Sequence, residues 1–332
     1  MRVPHLPPIE KRPIASIVDE RQAMLLMSEP GRHFDEDTIP IKTQRKIDVD
    51  QATKDYIDNL VRMCESEVVY GVGDGPAIDA AKYVASQCEL PLIVVPTVLS
   101  TDAFLTNTTR VTDGGRTYYL PSKAPDLVIA DMAVLCNAPS GMRVSGAADV
   151  LSIGTAMWDW QEAERLGKNP ANQRVSPHII GLGKAILQAL LDNAREIGRG
   201  TPKGLTVLLD LLCLEVQLCY LCGHDRFKVG STHYFVHALE NRLTGYAVHS
   251  DLVGLGIMLM ASLQSQGWQR YAYALDLLQI DYHRAADTRE SIIDTLVGLS
   301  DYVRQHQLPY SVVTDLTIAR EPAEITLRTV LE

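Results

Sequence analysis

The stretch "SEVVYGVGDGPAIDAAKYVASQ" constrains the fold more than any other part of the chain. Val68, Val69 and Tyr70 run straight into Gly71, Gly73 and Gly75. A strand that is apolar at every position is buried on both faces, as in a parallel sheet. The glycines predict a tight turn. Residues 76–87 then have helical character, with Pro76 in the first turn, where a missing N–H costs nothing. Two further buried strands are predicted at "LPLIVVPT", residues 90–97, and "DLVIAD", residues 126–131. Between them, "LSTDAFLTNTTRVTDGGRTYYLPS" predicts two β segments around a turn at Gly114 and Gly115. Residues 51–65 have helical spacing, with Ile57, Leu60 and Val61 on one face. Strands alternating with helices predict an α/β domain with a mainly parallel sheet.

The pattern changes after Pro139. Helical apolar spacing runs through residues 140–167, 178–197, 204–222, 230–244, 249–266 and 285–305, punctuated by Pro and Gly. "YSVVTDLTI" near the C-terminus reads as one short strand or a loop. The expected division is an α/β domain over 1–138 and an all-helical domain over 139–332. Residues 1–50 are rich in Pro and charge and carry one apolar stretch, "ASIVDERQAMLLM", to which no element is assigned.

A chain of 332 residues, 46% of them apolar, can bury a sizeable core. Its formal charge of −10 argues against a nucleic-acid partner, which calls for a basic face. No charge-free run of 18 apolar residues occurs, so no membrane span is expected. "MRVPHLPPIEKRPIAS" lacks the apolar core of a signal peptide. A cytoplasmic enzyme is the expectation. The six cysteines do not read as a disulfide framework, and Cys219 and Cys222 end an apolar run where packing accounts for them better than zinc.

Four stretches can carry chemistry. A glycine turn between strand and helix aims amide N–H groups at an anion, although Gly71–Gly75 also fits a plain tight turn, and Asp74 adds a charge a phosphate would not favour. "PTVLSTDAFLT" gathers Thr97, Ser100, Thr101, Asp102 and Thr106 beyond a strand end, where open α/β sheets bind ligands; a polar surface loop is the alternative. Asp149 sits in the mostly apolar "SGAADVLSIGTAMWDW", as a paired or metal-bound carboxylate or as a helix cap. His233 and His237, one turn apart, and His249, after a break at Leu243–Gly245, are either packing residues or part of a metal site.

Taken in order, "GVGDGPAIDAAKYVA", "VPTVLSTDA", "ADVLSIGTAMWDW" and "GSTHYFVHALE" resemble the superfamily of iron-containing alcohol dehydrogenases, glycerol dehydrogenase and dehydroquinate synthase, with the glycerol-1-phosphate dehydrogenase branch the nearest match. The resemblance covers roughly residues 66–262. It implies a Rossmann-like N-terminal domain followed by an all-helical C-terminal domain. It places a divalent metal, zinc or iron, on Asp149, His233 and His249, and His237 near the substrate. Gly73, Asp74 and Gly75, with Asp79 and Lys82 in the following helix, match the pyrophosphate turn for NAD or NADP. Thr97, Ser100 and Thr106 match cofactor contacts, and Asp102 a position near the substrate hydroxyls. Residues 1–65 are atypical, being short for the strand–helix–strand unit that completes the dinucleotide site.

The implied activity is metal-dependent, NAD(P)-linked oxidation or reduction of a small polyol, a polyol phosphate or its ketone, in a homo-oligomeric assembly. Arg226 and Lys228 are candidates for a substrate phosphate or are solvated charges. The rivals are a sugar phosphate cyclase or lyase of the dehydroquinate synthase type, and a non-enzymatic homologue with an eroded cofactor site.

Overall fold

The computed structural model describes residues 5–29, 31, 38–113, 116–243 and 248–331. The chain divides into two compact units: Met1–Val144 with Gly200–Val216, and Ser145–Arg199 with Gln217–Glu332.

The first unit is built on a six-stranded sheet. Its strands are β1 (Ile9–Glu10), β2 (Asp19–Met27), β3 (Ile41–Asp48), β4 (Val68–Gly73), β5 (Leu92–Pro96) and, after the β6–β7 hairpin, β8 (Leu127–Ile129). The order is β1-β8-β5-β4-β2-β3, and every pairing is parallel. Helix α1 (Lys54–Arg62) links β3 to β4, and α2 (Gly75–Gln87) links β4 to β5. The hairpin pairs β6 (Thr108–Asp113) with β7 (Arg116–Pro121) in antiparallel fashion, and its expected turn at Gly114–Gly115 lies outside the described residues.

Burial explains the apolar runs. Ala23, Leu25, Met27, Val68, Tyr70, Val72, Ile93 and Val95 line one core. The alternate residues Met24, Leu26, Val69, Leu92 and Val94 are equally inaccessible on the other face. A strand buried on both faces has no polar position to show. The stretch left unassigned in the sequence thus contains β2, a central strand, while β3 is an edge strand whose middle residues are mostly exposed. Chain order reverses between β2 and β4, because β3 flanks β2 on one side and β4 returns on the other.

The second unit is helical. It holds α5 (Gly146–Arg165), α6 (Pro177–Gly198), α8 (Ser231–Glu240), α9 (His249–Leu263), α10 (Gln269–Leu278), α11 (Arg289–Gln305) and α12 (Arg320–Leu331). Short helices α3 (Met132–Asn137) and α4 (Ser140–Arg143) precede it, so the single helix expected over 140–167 is broken before Ser145. Helix α7 (Pro202–Cys222) starts among residues counted with the first unit and ends in the second. The segment "YSVVTDLTI" is loop rather than strand.

Helix α5 packs closely because its small residues allow it. A Cβ on Gly154 would collide with the Tyr271 hydroxyl of α10, and one on Gly183 of α6 would come within 2.8 Å of Met157 Sδ. Helix α7 is long and apolar enough to cross a membrane by length and composition; one face, with Leu205, Leu208, Leu209, Leu212, Val216 and Glu215, is buried, while Leu214 and Leu221 are exposed. Cys219 and Cys222 are half-buried there and in no disulfide, and burial pushes the Cys222 thiol up to about 11.

Asp19, at the start of β2, holds the first unit's only strongly depressed carboxyl among the described residues. Its side chain is 8% exposed, accepts hydrogen bonds from Arg21 Nε (2.9 Å) and Nη2 (2.7 Å), and accepts one from the Tyr70 hydroxyl (2.7 Å). The Arg21 bonds hold it at about 2 despite burial, and Tyr70 adds to the effect. Because the folded value lies below the unfolded one, this stabilisation is complete above about pH 4 and is lost as pH falls toward 2. Asp19→Asn should remove on the order of 1–2 kcal/mol at neutral pH and flatten the acid limb of stability, read by urea unfolding between pH 2 and 7.

Candidate functional site

In the first unit the glycine turn sits at the C-terminal end of β4, at the point where strand order reverses. Open α/β sheets bind ligands at such a point. Gly73 has φ +138°, and a Cβ there would collide with Ser28 at the end of β2, so only glycine fits. Asp74 is the N-cap residue of α2 but caps nothing with its side chain. Its carboxylate instead accepts the Ser28 hydroxyl hydrogen, while its backbone N–H donates to Ser28 Oγ at 3.1 Å. Next along the turn, Gly75 would point a Cβ into open space at the helix N-terminus.

Thr97 follows β5 and is brought beside the turn, since its N–H donates to Gly73 O at 3.0 Å. Its hydroxyl is buried with no hydrogen-bond partner. An orphaned hydroxyl next to a side-chain-free helix N-terminus suits the phosphates of a dinucleotide. Ser100, Asp102 and Thr106 lie half-buried in the loop that follows.

Asp79 and Lys82 lie deeper in α2. Lys82 is inaccessible, with Nζ 2.8 Å from Asp79 Oδ1 and 3.2 Å from Thr106 Oγ1, and it also donates to Thr108 O. Burial pushes the Asp79 carboxyl up, and the Lys82 ammonium opposes this. The pair therefore joins α2 to the start of β6 and holds the far end of the loop that carries Ser100, Asp102 and Thr106.

In the second unit Asp149, His233 and His249 come from three helices and face one another. His233 Nε2 lies 3.6 Å and His249 Nε2 3.7 Å from Asp149 Oδ1. Asp149 stands in the first turn of α5, where the helix dipole favours an anion. Its side chain is 15% exposed, and its Oδ1 is buried without a hydrogen-bond partner, as is His233 Nδ1. Burial raises the Asp149 carboxyl, but the two rings outweigh it and hold the group below the usual carboxylate range. Burial lowers His249, but Asp149 and Glu240 push it up to about 9. The site as built thus favours positive charge between its carboxylates.

Two imidazoles and a carboxylate are the donors of catalytic zinc and non-haem iron sites. Ligands at 2.0–2.1 Å around a tetrahedral ion stand about 3.4 Å apart, close to the separations seen here. Among the described residues, no group of three or more His, Cys, Asp or Glu side chains is placed to hold a metal ion as it stands. The donor set, the orphaned Asp149 oxygen and the spacing nevertheless fit a divalent ion. His237 lies one turn beyond His233, with ring centroids 6.3 Å apart. The break expected at Leu243–Gly245 falls largely outside the described residues.

Residues 10–139 match the model of the iron-containing alcohol dehydrogenases. The NAD(P)+ glycerol-1-phosphate dehydrogenase of Methanothermobacter thermautotrophicus is 30% identical over 282 residues, covering 84% of this chain and 79% of that one. The chain belongs to the iron-containing alcohol dehydrogenase superfamily. The enzyme of the same name from Methanococcoides burtonii is 33% identical over 208 residues, 63% of this chain; the match spans only 57% of that relative's length. Among solved structures, the 2-epi-5-epi-valiolone synthase of Streptomyces hygroscopicus, with NAD+ and Zn2+ bound, shares the fold at a TM-score of 0.69 and 15% identity, covering 99% of this chain and 97% of that one.

In this superfamily member, three site-forming residues are not evident from sequence. Ser28 hydrogen-bonds both the carboxylate and the backbone N–H of Asp74. Glu240 accepts or shares a hydrogen with His249 Nδ1 at 3.0 Å, and its spacing of seven from His233 and three from His237 was the available signal. Asp159, inaccessible in α5, accepts the N–H groups of Ser231 (2.7 Å) and Val312 (2.8 Å). Arg226 is not a solvated surface charge. It is 1% exposed, with Nη2 donating to Tyr310 O at 2.7 Å and Nη1 3.4 Å from the Tyr234 hydroxyl.

The Asp79–Lys82 pair yields a stability prediction. Lys82→Met should cost about 3–5 kcal/mol, because it strands a buried carboxylate. The double variant Asp79→Leu with Lys82→Met should cost less than Lys82→Met alone, a difference that denaturant titration of the three proteins would resolve.

Proposed function

We propose that this chain is a metal-dependent, NAD(P)-linked dehydrogenase acting on a small polyol phosphate, with reduction of dihydroxyacetone phosphate its foremost reaction. The convergence of Asp149, His233 and His249 carries this reading. The family membership and the names of its relatives support it. A cytoplasmic location and a homo-oligomeric assembly belong to the same reading.

Asp149, His233 and His249 would hold the ion, zinc or iron. When bound, the ion would supply Lewis acidity toward a substrate oxygen, and NAD or NADP would supply hydride chemistry at the neighbouring carbon. The chain's own groups orient and move protons. His237 is the candidate to relay a proton or orient the substrate, since an imidazole exchanges protons near neutral pH. Asp102 is the candidate to accept a hydrogen bond from a substrate hydroxyl. Gly73, Asp74 and Gly75 would present the α2 N-terminus to the pyrophosphate, with the Asp74 carboxylate held on Ser28. Thr97, Ser100 and Thr106 would line the cofactor, and Asp79 and Lys82 would hold the loop in place.

Zinc- or iron-loaded protein given dihydroxyacetone phosphate and NADH or NADPH should consume the reduced cofactor in step with product. Turnover of a sugar phosphate with no net change in NADH would instead show a cyclase. Calorimetry showing no binding of either cofactor would reject the dehydrogenase.

Asp149→Ala and His233→Ala should lose the ion by elemental analysis and fall to background activity. His237→Ala should keep the ion while kcat drops about 100-fold or more. An unchanged metal content in the first two would reject the ion site.

A further inference from the structure

Glu240 is the last residue of α8, and His249 is the first of α9. A carboxylate at a helix C-terminus faces the negative end of the dipole, so Glu240 does not serve its own helix. Its Oε1 lies 3.0 Å from His249 Nδ1, and its side chain is only 21% exposed. The other nitrogen of the same ring, Nε2, faces Asp149 Oδ1 at 3.7 Å. His233 differs, because its Nδ1 is buried with no partner.

We infer that Glu240 is a positioning residue for the ion site: it takes the Nδ1 hydrogen of His249 and so leaves Nε2 as the donor that faces Asp149. The inference rests on the metal reading proposed above. An imidazole has one bare nitrogen when neutral, and which one is bare depends on the partner of the other. A carboxylate behind a ligand ring also fixes its rotation and raises its donor strength. Here the hydrogen bond joins the end of one helix to the start of the next. It therefore ties the His249 ring to the end of α8. His249 has no side-chain capping bond at the start of α9 to do this instead, since Val248 is the N-cap residue.

The test is Zn2+ affinity, measured by competition with a chromogenic chelator on the full chain. Glu240→Ala should bind Zn2+ about 10–100-fold more weakly than wild type. Glu240→Gln, whose amide oxygen still accepts from Nδ1–H, should recover most of that loss. Asp149→Ala is run beside them. If Asp149→Ala abolishes binding while Glu240→Ala binds as wild type does, the positioning role is wrong and the ion site stands. If Asp149→Ala binds Zn2+ normally, the ion site itself is wrong. Should Glu240→Ala fail to fold, as judged by its unfolding transition, Glu240→Met keeps the volume without the acceptor and is read in its place. Wild-type affinity in Glu240→Met would overturn the inference.

Discussion

A buried carboxylate must be surrounded by donors, and Asp159 shows how much of the helical unit follows from that requirement. Its two oxygens accept the amide hydrogens of Ser231 and Val312. Ser231 opens α8, so one of that helix's unsatisfied N–H groups is met by a side chain from α5. The approach is close enough that a Cβ on Gly230 would come within 2.7 Å of Asp159 Oδ2. With the start of α8 held there, His233 is two residues further on and faces Asp149, ten residues earlier on α5. The same helix that anchors α8 thus supplies the carboxylate its histidine faces. A second link, the hydroxyl pair of Thr155 and Thr232 at 2.8 Å, keeps the two helices in register.

The sheet unit solves a related problem with glycine and an ion pair. Ser28 at the end of β2 meets the turn after β4 so closely that residue 73 must be glycine, and its hydroxyl also donates to the Asp74 carboxylate. Lys82 and Asp79 are costly to bury, but their remaining hydrogen bonds to Thr106 and the strand beyond are satisfied. Both features hold the backbone beside the glycine turn.

Much of this was legible in the sequence where the signal is local. The strand–turn–helix at residues 68–87 and the long amphipathic helices show their periodicity directly. Strand β3 was hidden because an edge strand pairs on one side only and leaves Lys42, Arg45 and Lys46 in solvent, so it carries almost no apolar signature. Strand β2 was hidden by its polar first half, Asp19 to Gln22, although its second half is fully buried. Helix α12 was legible in principle, with Ala323, Leu327 and Val330 buried at helical spacing, but its exposed face is strongly polar.

The sequence by itself determined the family, because the residue types and their order specify it. It also showed the strand–turn–helix at residues 68–87 and the long helices, since burial on one face or two writes itself into the apolar pattern. Only the tertiary structure decided which polar groups meet. Ser28 and Asp74 are 46 residues apart, and Asp159 and Val312 are 153 apart. No periodicity encodes such pairs, because a hydrogen bond between distant segments depends on how helices and strands pack. For the same reason Arg226, a candidate for solvent or ligand when read as a letter, became a buried donor to Tyr310.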